Sequence, residues 1–171
     1  MTFNEVKTTS QFKANIFVDW LNVKANGGSR LDFFKLIDMI RDTGGIICRA
    51  NIYMPEPDER QVPLYDMIKK AGFKVIIIPP KSDGVNCDAL MAVDMVTQSL
   101  CADVIYLLSN DADFIPAVEY LQSIGKRVLL IHGESPSNRL RRTVDEWRRY
   151  EQLHLLKERK AIEADVESEP S

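Results

Sequence analysis

Two carboxylates one residue apart, Asp111 and Asp113, close the apolar run of YLLSNDADF (106–114). A second apolar run, IFVD (16–19), ends in Asp19, with Asn22 three residues on, and NCDALMAVD (86–94) carries Asp88 and Asp94. Carboxylates gathered without paired Lys or Arg repel one another and rise in pKa unless a divalent cation neutralises them. A cation held by oxygen ligands alone is characteristically Mg²⁺ or Mn²⁺. Each acid also has a plainer use, since Asp is a favoured helix N-cap and both Asp88 and Asp113 precede helical patterns. Asp94 stands six residues from Asp88, about 240° round a regular helix, so the two cannot point the same way unless Asp88 sits before the helix proper. For Asp19 no cap or turn duty is evident.

Other chemistries lack their residues. Cys48, Cys87 and Cys101 are scattered, and His132 and His154, the only histidines, lie far along the chain, which disfavours a zinc site. No Gly-x-Ser-x-Gly elbow and no Gly-x-Gly-x-x-Gly turn is present. A receiver domain needs a Lys ending a late strand, where LLIH ends in His132.

Five segments read as strands, at 15–19, 45–54, 73–80, 103–109 and 126–132, and helical periods fall between them. RLDFFKLIDMIRDTG is closed by Gly44 and Gly45, DERQVPLYDMIKKAG offers Asp58 as a cap, and 113–125 tolerates Pro116 in its first turn. Four of the five strands are near-continuous apolar runs, as suits a parallel sheet covered on both faces. The expected fold is therefore α/β, a three-layer, doubly wound, mostly parallel five-stranded sheet with an extra C-terminal helix. In strand order 3-2-1-4-5, strands 1 and 4 lie about 5 Å apart, so Asp19 and Asp111 emerge side by side at the switch point and Asp88 enters the same crevice.

The chain divides into a flexible N-terminus (1–13), one domain (14–147), a C-terminal helix (148–162) and a disordered acidic tail (163–171). Its net charge of −3 does not advertise a nucleic-acid binder, but five arginines face two acids between Arg139 and Arg149. They either track a phosphate backbone or form a solvated helix face. Leu153, Leu155 and Leu156 offer either a homodimer surface or a fold-back onto the sheet. No membrane span or secretory signal is expected, and an odd, low cysteine count fits free thiols in the cytoplasm.

IFVDWLNV, NCDALMAVDM, IYLLSNDADFIPAVEYLQSIGKRV and SNRLRRTVDEW together resemble the NYN domain family, relatives of the PIN-domain nucleases, and most closely its LabA-like branch. The resemblance implies a PIN-like, Rossmann-like fold and a ribonuclease that hydrolyses RNA with a Mg²⁺- or Mn²⁺-activated water. Carried over residue by residue, the ligands are Asp19, Asp88, Asp94, Asp111 and Asp113, with all but Asp94 catalytic and with Asn22, Ser109 and Asn110 in support. RNA would be followed by Lys81, Arg127, Arg139, Arg141 and Arg142. Where the family has Gly after the first acid, this chain has Trp20. That indole either stacks on a base, for roughly 1–3 kcal/mol, or packs as a lid on the sheet edge. A non-catalytic RNA- or protein-binding domain is the alternative.

Overall fold

The computed structural model describes residues 10–79, 87–134 and 137–158. Lys81, the tail at 163–171 and most of the segment at 1–13 lie outside them, although residues 12 and 13 already belong to the first strand.

Strand β1 (Phe12–Asp19) is followed by a short helix α1 (Trp20–Val23), an irregular turn (Lys24–Gly28) and helix α2 (Phe33–Asp42). Strand β2 (Gly45–Pro55), helix α3 (Val62–Lys70), strand β3 (Lys74–Ile78) and helix α4 (Cys87–Gln98) come next. Strand β4 (Val104–Leu108) leads through a 3₁₀ turn (Ala112–Phe114) into helix α5 (Ile115–Ser123). Strand β5 (Arg127–His132), helix α6 (Asn138–Thr143) and strand β6 (Glu146–Arg149) complete the order.

Local chemistry sets these limits. The Asp32 carboxylate accepts from the N–H groups of Phe34 and Lys35 and starts α2, whose Phe33, Leu36, Ile37 and Ile40 share the buried face. Asp58 does not cap α3 directly. Its side chain accepts from Arg60 and Gln61 in the preceding turn, and the helix begins only at Val62, beside Pro63.

All strand pairs are parallel, in the order β3-β2-β1-β4-β5-β6. Winding runs outward in both directions from β1 and β4, which makes their carboxyl ends the switch point. One core packs α2 and α3 on Ile16, Val18, Ile52 and Tyr106, and the other packs α4, α5 and α6 on Phe17, Ile105, Leu107 and Leu130.

Two expectations are corrected here. The sheet has six strands, and among the described residues the segment from 148 is no helix. Glu146–Arg149 pairs with Leu129–His132, and turns follow at 150–154. The chain then crosses back to residues 30–32, where Asp32 N–H donates to Leu155, Lys157 N–H donates to Arg30, and Leu31 bridges Leu156. Leu155 is buried, and Leu153 and Leu156 pack against the same core, so these leucines fold back rather than face a second copy. No helix among the described residues is long and apolar enough to cross a membrane.

The loop after β5 closes against the turn after α1, where Glu134 N–H donates to the Asn26 carbonyl at 3.0 Å. A Cβ on Gly133 would stand 1.7 Å from that carbonyl oxygen and 2.8 Å from Tyr150 Cε2. Gly133→Ala should therefore cost about 1–3 kcal/mol or more, since the obstruction is backbone. Thermal unfolding should show a Tm lower by roughly 5 °C or more. An unchanged Tm would mean that this close approach does not exist in solution.

Candidate metal centre

Register brings the first two elements of the site together. Val18 pairs with Leu108, so Asp19 leaves β1 beside Ser109, and on its other side Asp19 pairs with Tyr53 of β2. Asp19 is only 6% exposed. One of its oxygens accepts the N–H of Asn22 at 3.2 Å, and the other accepts the Ser109 hydroxyl at 3.2 Å. Ser109 Oγ accepts the N–H of Asp111 at 3.1 Å, and Asp111 Oδ1 accepts the N–H of Asp113 at 2.9 Å. Asn22 Oδ1 accepts the N–H of Asn110 at 2.7 Å, while the Asn26 amide donates to the Asn22 carbonyl. A continuous hydrogen-bonded path thus joins the ends of β1 and β4. It also settles the capping question: Asp19 caps α1, and Asp111, not Asp113, caps the 3₁₀ turn.

Asp113 is thereby left exposed at the surface of the cleft. Asp88, Asp111 and Asp113 each offer a carboxylate oxygen, and these oxygens all lie within 4.8 Å of one another. Asp19 lies deeper, where burial pushes its carboxyl up to about 6 and the charges of Asp88 and Asp111 add to the rise. The hydrogen bonds from Asn22 and Ser109 oppose that shift without cancelling it. Burial, with Asp19 and Asp88 beyond it, likewise pushes the Cys87 thiol up to about 11. Oxygen-only carboxylate donors suit Mg²⁺ or Mn²⁺, and the donor set fits such an ion.

Helix α4 delivers Asp88 through polar anchors at its far end. The Asn15 amide donates to the Gln98 carbonyl at 3.0 Å, and the Asn51 amide donates to Gln98 Oε1 at 2.9 Å. Between these anchors and the site, the buried Tyr53 hydroxyl donates to Asp94 Oδ2 at 2.6 Å. Asp94 thus faces the sheet rather than the acid group, and Asp88 sits within the helix. The angular separation between the two acids holds, and Asp94 is an anchor of α4.

The remaining candidates scatter. Trp20 turns into the core, 6% exposed, with its ring centroid 5.8 Å from that of Phe33, so its indole is not presented to a base. Arg127 opens β5 at the amino end of the sheet, opposite the acids, and pairs with Glu146 at 3.6 Å. Arg139, Arg141 and Arg142 lie on α6, which packs against the turn bearing Asp113. Tyr53, Asn26 and Glu134 are residues that sequence reasoning did not assign. The backbone carbonyl of Glu134 accepts from the Asn110 side-chain amide, which ties the loop after β5 to the end of β4. Asn26, four residues after Asn22 on a helical turn, was the one legible signal among them.

A family profile described as NYN domain matches residues 13–151. A crystal structure of a protein of unknown function from Vibrio parahaemolyticus superposes with a TM-score of 0.74 at 21% identity, covering 86% of this chain and 97% of that one. No curated protein gives a significant match.

The raised carboxyl of Asp19 has a thermodynamic consequence. A group protonated more readily in the folded state contributes stability at low pH that is lost as pH rises through its unfolded and then its folded pKa. For Asp19 that window runs from 3.8 to about 6. Ionising it in the metal-free protein costs on the order of 2–3 kcal/mol. In EDTA, Asp19→Asn should therefore be more stable than wild type at pH 7 by about 2 kcal/mol and equal to it near pH 4. Denaturant unfolding at the two pH values checks this, and a difference that does not change with pH would contradict it.

Proposed function

Because this chain belongs to the NYN domain family, with its PIN nuclease-like fold, we propose that it is a Mg²⁺- or Mn²⁺-dependent ribonuclease acting on phosphodiester bonds at its Asp group. The observation that carries this proposal is the convergence of Asp88, Asp111 and Asp113 above the buried, electrostatically burdened Asp19. Asp88, Asp111 and Asp113 would hold the ion, with Asp19 completing the set from below. When bound, a divalent cation neutralises charge on phosphoryl oxygens and lowers the pKa of a coordinated water.

The chain's own residues supply position. Ser109 and Asn22 fix the Asp19 carboxylate and the Asn110 backbone, so the two strand ends cannot drift apart under mutual repulsion. Arg139 and Arg142, both exposed on α6, would take backbone phosphates, which gives affinity without reading sequence. No protein nucleophile is required. Three free thiols suit the reducing conditions of a cytoplasmic enzyme.

Incubation of end-labelled single-stranded RNA with Mn²⁺ tests the proposal. Wild type should cleave, EDTA should stop it, and Asp88→Asn or Asp111→Asn should slow it by roughly 100-fold or more, since even indirect support of a metal ligand is worth 10–100-fold. Equal cleavage by wild type and Asp111→Asn would sink the assignment. RNA binding without cleavage would favour the non-catalytic alternative.

A further inference from the structure

The second tryptophan, Trp147, lies on the outermost strand β6 and is 37% exposed. Its surroundings carry a charge pattern that the sequence alone does not reveal. The Asp145 carboxylate is engaged by Val128 N–H at 2.8 Å and the Gln122 amide at 3.1 Å. Glu146 is paired with Arg148 at 2.5 Å and Arg127 at 3.6 Å, and Arg149 with Glu151 at 3.6 Å. Among the described residues, Arg139, Arg141 and Arg142 make no ion pair, so the surplus positive charge of the region resides on α6.

Arg141 is also pre-oriented. Its Nη2 donates to Asn138 Oδ1 at 2.5 Å, and its Cζ lies 4.9 Å from the centroid of the Trp147 ring. The buried His132 ring is Trp147's other neighbour, with centroids 5.4 Å apart and planes tilted by 38°. An indole with a guanidinium over its ring and a buried imidazole as neighbour loses little freedom when a base joins the stack. Guanidinium planes and aromatic rings are the surfaces on which unpaired bases stack.

The patch is tied to the acid group by the chain itself. Ser137 N–H donates to the Asn110 carbonyl at 3.2 Å, one residue before Asp111, and α6 packs against the Ala112–Phe114 turn. We propose that Trp147 and the Arg141 guanidinium over it form a stacking platform for a base of single-stranded RNA whose backbone is led by Arg139 and Arg142 toward the Asp group. This rests on the nuclease proposal for the identity of the polymer and adds the requirement for a single strand, because duplex bases already have both faces stacked.

Binding in EDTA reads the platform apart from cleavage. A single-stranded RNA decamer should quench tryptophan emission, and the quench should persist in Trp20→Phe and vanish in Trp147→Phe. Kd should rise about tenfold in Trp147→Ala, as loss of one base stack predicts, with partial rescue by Trp147→Phe and a comparable rise in Arg141→Gln. A blunt duplex of the same sequence should bind several-fold more weakly than the single strand. The platform is overturned by wild-type affinity in both Trp147→Ala and Arg141→Gln, by equal duplex binding, or by no RNA binding at all. Quenching and binding without Mn²⁺-dependent cleavage would sink the nuclease proposal and leave the platform standing.

Discussion

Mutual repulsion of carboxylates at the carboxyl ends of β1 and β4 is the constraint around which the rest of this structure is arranged. Parallel pairing of Val18 with Leu108 forces Asp19 beside Ser109, and the two residues after Ser109 bring Asp111 into range. Left to themselves, such groups would turn away into water. Here each is held by a directional bond: Asp19 by Asn22 and Ser109, and Asp111 by the N–H of Asp113. The bonds from Asn22 and Ser109 favour the ionised form of Asp19, yet burial and neighbouring charge outweigh them. The fold therefore maintains an electrostatic penalty that a bound cation would relieve.

Holding Asp88 in the same place is a different problem, because it comes from a helix rather than a strand end. Helix α4 buries Met91 and Met95 and also leaves Val93 exposed, so apolar burial alone defines its rotation weakly. Hydrogen bonds supply the missing direction. Asn15 and Asn51 grip Gln98, Tyr53 grips Asp94 one turn earlier, and the first turn then projects Asp88 over the strand ends. Asn15, Asn51 and Tyr53, buried in β1 and β2, each donate to the helix they align, while Asn15 Oδ1 is left without a partner among the described residues.

Much of this was legible in the chain. Apolar runs bounded by Gly and Pro mark five of the six strands, a doubly wound order sets strands 1 and 4 side by side, and Asp88, Asp111 and Asp113 bring carboxylate oxygens within 4.8 Å of one another. Asp94 could be separated from Asp88 on helical geometry alone, but its partner Tyr53 lies 41 residues away and no local pattern points to it. The indole of Trp20 was similarly ambiguous. Only the position of Phe33, across the α1–α2 turn, decides that it packs inward. Glu134 escaped notice because its placement depends on backbone bonds to Asn26 and Asn110 rather than on a strand end.

The C-terminal arginines show most clearly why the remainder was hidden. DEWRRYEQLHLLKERK has helical charge spacing and no apolar run, so nothing local favours a strand. Pairing with β5 overrides that preference, since an exposed edge offers hydrogen bonds to any short segment that can reach it. The change of period at Val144 divides what looks like one basic belt. On β6, Arg148 and Arg149 meet Glu146 and Glu151 and are neutralised, whereas on α6 Arg139 and Arg142 stand three apart and share a helix face. The positive field thus concentrates on the element tethered to Asn110. A chain with net charge −3 can by this division present a local cationic path without becoming basic overall.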